Sequence, residues 1–369
     1  ETVMFRHEKT FFNKPGFAIL ITTDMDDDEI QKRFSKLGYL QYERVGQVLK
    51  PELVALKDTG NREKFLAIVK KACNEPYGIM LMSGNLDTMR AALDISKENK
   101  PLIYAATLDN CEAFGSLAKE YSCPIAVKGQ GLEGVSVLTD KLAGMGLKDI
   151  FIDTSTREIK EGFQEQVIIR RAALLNKVKS LGFPTITFPC EMTGDIMKEA
   201  LIASAFVAKY AGIIVLSDFS GEYLFPLLLQ RMNIYTDPQR PMTTKEGIYP
   251  VNNPNENAPV LVTCNFSLTY FIVSGEIENS RVPTWLCVMD TEGLSVMTAW
   301  AAGKFVGDTV GAFIKKCGIS EKIAHKKIVI PGYSAIIMGD LEEELPGWGI
   351  LIGPREAANI PSYLRALKI

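Results

Sequence analysis

W-L-C-V-M-D-T-E-G-L-S-V-M-T-A-W-A-A-G-K-F, from Trp285 to Phe305, is the stretch on which the reading of this chain turns. Trp285–Met289 reads as an apolar strand, Asp290–Gly293 as a turn, and Leu294–Phe305 as a helix of small and apolar residues. A strand-turn-helix junction ends in free backbone N–H groups and is a natural seat for a ligand. A phosphate loop would be rich in Gly and Lys, whereas the first turn here is Leu294, Ser295, Val296, Met297 and Thr298. Such a surface suits a large, flat, mostly apolar ligand.

The same alternation of strand and helix runs through the residues around it. Val260–Thr263 reads as a strand with a helix opening over Ser267–Ser274, and Leu294–Cys317 reads as mostly helix. Lys327–Ile330 is a strand before a helical Gly332–Leu345, and Trp348–Ile352 is a last strand before a closing helix, Pro354–Leu367. This is the pattern of a small doubly wound sheet, in which ligands sit outside the carboxyl ends of the strands. The strand ends carry T-C-N-F-S-L-T-Y-F, D-T-E-G-L-S-V-M-T, P-G-Y-S-A-I-I-M-G-D and G-P-R-E-A-A-N. Strand-to-helix turns select Gly, Ser, Thr and Asn on geometry alone. Four such turns at one sheet edge, without a catalytic carboxylate pair, point to a site for a neutral, extended cofactor.

Upstream, apolar runs alternate with helical stretches from Gly16 to about Asp218. The strands are expected at Phe17–Thr22, Gln41–Val45, Gly78–Ser83, Leu102–Ala106, Pro124–Val127, Asp149–Asp153, Thr185–Phe188 and Gly212–Ser217. Continuous apolar strands separated by helices such as Asp87–Asn99, Gln164–Leu181 and Gly194–Tyr210 imply a parallel sheet covered on both faces. Eight such units in this length fit a closed (β/α)8 TIM barrel. Asp237–Pro259, dense in Pro and Asn, reads as a linker. The expected division is a TIM barrel over residues 1–245 and a smaller doubly wound, flavodoxin-like α/β domain over 246–369.

Composition narrows the function classes. The chain has 369 residues, 47% hydrophobic and 23% charged, with a net charge of −3, so it lacks the basic footprint of a nucleic-acid or anionic-membrane binder. No apolar run approaches the ~20 residues needed to span a bilayer. No signal peptide is visible, so the cytoplasm is the expected compartment. The first residue is Glu1 rather than Met, so something N-terminal is expected to precede it. Seven cysteines, with no C-x-x-C pair, argue against a disulfide framework, a zinc finger or an iron–sulfur cluster in this segment. Cys190 follows a strand and is the candidate reactive thiol; otherwise buried, inert cysteines are expected.

The segments V-L-V-T-C-N-F-S-L-T-Y-F, L-C-V-M-D-T-E-G-L-S-V-M-T-A-W-A-A-G-K-F and I-P-G-Y-S-A-I-I-M-G-D-L-E-E-E-L-P-G-W-G-I-L-I-G-P-R-E-A-A resemble the family of large (gamma) subunits of the corrinoid/iron–sulfur protein of the acetyl-CoA, or Wood–Ljungdahl, pathway. The resemblance covers essentially the whole chain. It implies three parts in the full subunit: a [4Fe–4S] domain, a TIM barrel and a cobalamin-binding domain. The cluster-binding cysteines have no counterpart here, so the iron–sulfur domain is expected to be missing from the start. The implied role is a methyl carrier rather than an enzyme. Its cobalamin would take a methyl group from methyltetrahydrofolate through a separate methyltransferase and pass it to the nickel cluster of CO dehydrogenase/acetyl-CoA synthase. A small TIM-barrel subunit would cap the corrinoid in a heterodimer. Carried over by motif, Cys264, Thr269 and Tyr270 would border the cofactor. Leu294, Ser295, Val296, Met297 and Thr298 would line the lower corrin face and nucleotide tail, and Gly332, Tyr333 and Ala357 would flank the tail pocket.

Many corrinoid methyltransferases carry a D-x-H-x-x-G loop whose His binds cobalt. The histidines here, His7 and His325, do not follow an Asp at that spacing. The implied corrinoid is therefore base-off with no His ligand, a state that eases reduction to cobalt(I). Two other readings stay open: a methyltetrahydrofolate-dependent methyltransferase using Asp24, Asp153, Glu191 or Asp218 at the barrel strand ends, and a structural subunit holding a flavin or nothing. The D-M-D-D-D-E run (Asp24–Glu29) and the L-E-E-E-L run (Leu341–Leu345) read as a helix start and a helix end with solvated faces.

Overall fold

The computed structural model describes residues 11, 13–44, 47–235 and 241–368. The chain divides into two compact units, the first holding most residues up to 236 and the second those from 237 on. His7 and residues 237–240 of the expected linker lie outside the described residues.

The first unit is an eight-stranded parallel sheet. Its strands are β1 (Gly16–Thr22), β4 (Leu53–Lys57), β5 (Gly78–Met82), β6 (Leu102–Ala106), β7 (Ile125–Lys128), β8 (Ile150–Asp153), β9 (Ile186–Thr187) and β10 (Ile213–Leu216). Their order is β8-β7-β6-β5-β4-β1-β10-β9. A parallel bridge between Ile152 and Thr185 brings the two edges together, so the sheet returns on itself as a barrel. Small residues (Ala18, Ala55, Ala126) and large ones (Met80, Tyr104, Phe188) share the buried interior cluster, as a filled barrel requires.

One expected barrel strand is wrong. Within Gln41–Val45, the residues Tyr42–Arg44 (β2) pair only with Gln47–Leu49 (β3), in a separate two-stranded ribbon. The second barrel position belongs to β4, whose Val54, Ala55 and Leu56 are fully buried, whereas Glu43 and Arg44 are exposed. A strand with both faces covered must be apolar throughout, and L-V-A-L meets that condition where Q-Y-E-R does not. The acidic run behaves as read: Asp26 caps the helix Asp27–Tyr39 by accepting the Glu29 N–H at 2.7 Å.

The second unit is a five-stranded sheet in the order β11-β13-β12-β14-β15. These strands are β11 (Gly247–Val251), β12 (Val260–Cys264), β13 (Thr284–Met289), β14 (Lys327–Ile330) and β15 (Gly349–Ile352). β11 falls inside the expected linker. It pairs antiparallel with β13 and covers that edge, while the other strands are parallel. Its sequence, G-I-Y-P-V, hides the strand because Pro250 belongs only on an edge. The expected helix Leu294–Cys317 is two helices, Val296–Ala301 and Gly307–Lys316. Gly303, at φ +70°, ends the first, and the Ala299 carbonyl accepts the N–H groups of Lys304 (2.7 Å) and Phe305 (3.2 Å). The second begins at Gly307, where a Cβ would lie 2.5 Å from that of Asp340, so glycine lets it pack tightly on the helix Met338–Glu344. In that helix Leu341 is buried and Glu342 and Glu343 are exposed, the solvated end expected of L-E-E-E-L.

All seven cysteines are free thiols, but two of them are not independent. Cys287 on β13 and Cys317 at the end of the helix Gly307–Lys316 share one core cluster. Hydrogen bonding to Cys287 draws the Cys317 thiol down to about 7, while the same contact and burial raise Cys287. Elsewhere burial raises thiols, Cys123 to about 11 and Cys190 to about 12. Since the thiolate is the reactive form, alkylation of Cys317 is expected to be slow below pH 7 and to rise with a midpoint near 7, as read by mass spectrometry of labelled peptides. Cys287→Ala is expected to move that midpoint up into the ordinary thiol range or beyond; an unmoved midpoint would show that the pair does not set it.

Candidate functional site

The strand order of the second unit locates a site before any side chain is considered. Along the chain the parallel strands come as β12, β13, β14 and β15, yet β12 lies between β13 and β14. Winding reverses between β12 and β14, and the loops leaving those two strands diverge to opposite sides, opening a crevice beyond their carboxyl ends. A cavity of about 300 Å³ occupies that position, with Leu261, Thr263, Val329 and Ile330 in its floor.

Six of the sequence-named residues line it: Thr269, Ser295, Val296, Met297, Tyr333 and Ala357. Thr269 comes from the helix Ser267–Ser280, which also gives Ile272 and Val273. Ser295–Met297 supply another wall, and the Ser295 and Thr298 hydroxyls bond each other at 2.9 Å. Tyr333 donates its hydroxyl to Glu356 Oε1 at 2.8 Å.

The remaining five named residues stand around the cavity rather than in it. Cys264 is fully buried at the end of β12. Tyr270 packs against Tyr249, with ring centroids 5.0 Å apart and the rings tilted by 57°. Leu294 packs into the core beneath the helix Val296–Ala301, and Thr298 is exposed on that helix. At Gly332 a Cβ would lie 2.6 Å from the Gly353 carbonyl oxygen, so glycine there lets the loops after β14 and β15 meet.

Exposed apolar side chains extend from the cavity mouth. Ile272, Met297 and Tyr333 line it, and Leu268 and Ile336 follow them on the same helical faces at spacings of four and three. A contiguous exposed apolar patch beside a cavity marks a binding surface.

The residue that organises this edge carried no role in the sequence reading. Asn265, directly after β12, is almost fully buried. Its Oδ1 accepts the Thr291 N–H, the Thr291 hydroxyl and the Gly293 N–H, each at 3.0 Å. Its Nδ2 donates to Asp290 Oδ1 at 2.8 Å. One carboxamide thus fastens the turn after β13 to the end of β12. Gly293, at φ +76°, has no room for a side chain, because a Cβ would lie 2.8 Å from Thr243 Cγ2. The available signal was an Asn at a strand end within T-C-N-F, a residue type whose side chain readily bonds turn backbone.

His325 is remote from this edge. Its ring nitrogens meet the Ala258 carbonyl (Nε2, 3.0 Å) and the Lys327 N–H (Nδ1, 3.2 Å) at the amino ends of β12 and β14. An Nε2–H tautomer satisfies both contacts. Among the described residues no group of three or more His, Cys, Asp or Glu side chains is placed to hold a metal ion. No helix among them is long and apolar enough to cross a membrane.

The four barrel carboxylates are all engaged. Asp24 accepts from the Thr22 hydroxyl, which holds its carboxyl below the usual range. Asp153 is buried, accepts from the Tyr104 hydroxyl and takes two bonds of 3.0 Å from Arg157. Glu191 pairs with Arg157 and Lys57, and Asp218 with Lys36. Burial works against the Arg157 cation, but Asp153 and Glu191 raise its pKa above the ordinary guanidinium value. Cys190 is not activated: burial, with Glu191 and Glu199 nearby, pushes its thiol up to about 12.

Asn265→Ala would orphan the Thr291 and Gly293 N–H groups and remove one of the two bonds to Asp290 Oδ1, while the Thr291 hydroxyl keeps the Leu294 carbonyl as its acceptor. A loss of about 2–3 kcal/mol is expected in urea denaturation of the second unit. Asn265→Asp keeps the acceptors but sets a carboxylate against Asp290, so its loss is expected to shrink as the pH falls and the pair takes up a proton.

The family model described as CO dehydrogenase/acetyl-CoA synthase delta subunit matches residues 1–364. The corrinoid/iron-sulfur protein large subunit of Moorella thermoacetica is 39% identical over 368 residues, spanning 99% of this chain and 82% of that protein. The acetyl-CoA decarbonylase/synthase complex subunit gamma of Methanopyrus kandleri is 35% identical over 378 residues, spanning 99% of this chain and 81% of that protein. Its counterpart in Archaeoglobus fulgidus is 32% identical over 376 residues, with 99% and 80% spanned. The resemblance found in the sequence therefore holds along the chain, which belongs to the CO dehydrogenase/acetyl-CoA synthase delta subunit family, among relatives that are corrinoid/iron–sulfur large or gamma subunits.

Proposed function

We propose that this chain is a corrinoid methyl-carrier subunit of an acetyl-CoA-synthesising or -cleaving system, its second unit being a flavodoxin-like cobalamin domain. The observation that carries the reading is the apolar cavity at the reversal between β12 and β14, with its exposed apolar margin. The names of the relatives, a corrinoid/iron–sulfur protein and the acetyl-CoA decarbonylase/synthase complex, support the ligand and the setting.

The residues fit such a cofactor. The walls are largely aliphatic, and the Thr263 hydroxyl is buried without a partner among the described residues. When bound, the cobalt of the corrinoid supplies a nucleophile that takes up a methyl group and later releases it. The chain's part is to hold and to shield. Val296 and Met297 give a face without a nitrogen donor, and Thr269 and Ser295 offer hydroxyls to polar edges of the ligand. Tyr333 and Ala357 flank the cavity that takes the nucleotide tail. His325, with both nitrogens engaged at the opposite sheet edge, is not available to the metal. In this reading the corrinoid is base-off and has no His ligand, a state that eases reduction to cobalt(I). The exposed apolar margin is the surface over which a small barrel subunit would close. A methyltransferase and acetyl-CoA synthase would donate and receive the methyl group.

Elemental analysis and a visible spectrum of the purified full-length protein test the reading. Stoichiometric cobalt is expected, with a cob(II)alamin signature lacking an axial nitrogen. Absence of cobalt would overturn the carrier role, a nitrogen-ligated spectrum the base-off assignment. Turnover of methyltetrahydrofolate by the protein alone would favour a methyltransferase in the barrel, against the paired state of Asp24, Asp153, Glu191 and Asp218.

A further inference from the structure

The cavity between β12 and β14 contains one polar deficit. Thr263 is 2% exposed, and its Oγ1 has no hydrogen-bond partner among the described residues. Its neighbours in the cavity are aliphatic, Leu261, Val273, Val296, Val329 and Ile360 among them. The other polar groups of the lining are differently placed. Ser295 is bonded to Thr298, Thr269 is only half-buried, and Arg355 is exposed at the rim, its guanidinium 5.9 Å from the Tyr333 ring centroid. A hydroxyl can donate one bond and accept others, and a buried one left unpaired is disfavoured. An occupant that is mostly apolar and carries an acceptor atom for the Thr263 hydroxyl would complement these surroundings.

We propose that Thr263 is a specificity-determining residue that favours corrinoids whose lower base has a free ring nitrogen over corrinoids with a phenolic base. The inference rests on the corrinoid reading above. A benzimidazole not bound to a metal has two apolar faces and one ring nitrogen with an unshared pair. Buried among aliphatic side chains, that nitrogen needs a donor, and the Thr263 hydroxyl needs an acceptor. Each deficit cancels the other when the ring is seated. A phenolic base, whose ring is all carbon and whose one oxygen is tied up in the bond to ribose, fills the same space and offers the hydroxyl no ring nitrogen. Sites built to bond a polar atom discriminate strongly against analogues that lack it. Thr263 and Leu261 lie two residues apart on β12, on one face of the sheet, so the hydroxyl is carried by rigid backbone.

The test is equilibrium binding to the full-length protein in its native complex, stripped of corrinoid and titrated with three ligands. These are cobalamin, p-cresolylcobamide and cobinamide, which has no lower base. Wild type is expected to bind cobalamin about tenfold more tightly than p-cresolylcobamide. Thr263→Val, which keeps the shape and removes the hydroxyl, is expected to abolish that ratio by weakening cobalamin alone. Thr263→Ser is expected to preserve it, which guards against a folding defect in the valine variant. Equal wild-type affinities, or a ratio that survives in Thr263→Val, would overturn the role of Thr263. Cobinamide binding as tightly as cobalamin would show that the cavity does not hold the base, overturning the inference while leaving the corrinoid reading intact. Failure of all three ligands to bind would overturn both.

Discussion

The carboxyl edge of the second sheet depends on the four hydrogen bonds of the Asn265 side chain. A turn such as Asp290–Gly293 contains backbone donors that no strand or helix satisfies, and burying them unpaired is costly. Asn265 gathers two of them, with the Thr291 hydroxyl, onto one oxygen and ties Asp290 with its nitrogen. The turn then has one position relative to β12, and so do the residues that follow it. Leu294 and Val296 pack against the core, and Ser295, Val296 and Met297 line the cavity.

The carboxylates at the barrel strand ends and the polar lining of the second unit's cavity are satisfied to different degrees. At the barrel strand ends, Asp153, Glu191 and Asp218 are each matched by a cation, and Asp24 by a hydroxyl. Groups so matched resist further chemistry, because a substrate would first have to break their existing bonds. The second unit instead leaves the Thr263 hydroxyl unmatched inside an aliphatic cavity. A protein that holds a reactive group made elsewhere needs shape and a few polar contacts rather than an acid–base pair. The contrast agrees with the proposed carrier role.

The sequence was most legible where one physical signal dominated. Continuous apolar runs marked seven of the eight barrel strands, because a strand covered on both faces has no alternative composition. The signal failed at Gln41–Val45, where a polar ribbon stood close to the true strand Leu53–Lys57. It also failed at Gly247–Val251, an edge strand that tolerates the proline of a linker-like segment. At the site, the Gly, Ser and Thr of the strand ends located the correct edge. Their side-chain directions were not legible: Tyr270 turns toward Tyr249, and Leu294 turns into the core. Asn265, Thr263 and the Cys287–Cys317 contact depend on which strands lie side by side, and local spacing does not encode that.

The segment Leu294–Ala301 is fixed at both ends, by Asn265 before it and by the doubly bonded Ala299 carbonyl with left-handed Gly303 after it. A helix of six residues is too short to hold its shape alone. Here the two anchors supply the order before any ligand arrives. Conformational entropy that a loose loop would lose on binding has already been lost on folding, so more of the contact energy remains as affinity. A wall ordered in this way also stays in place when the occupant reacts, so a group on the ligand's outer face could change without the pocket rearranging beneath it.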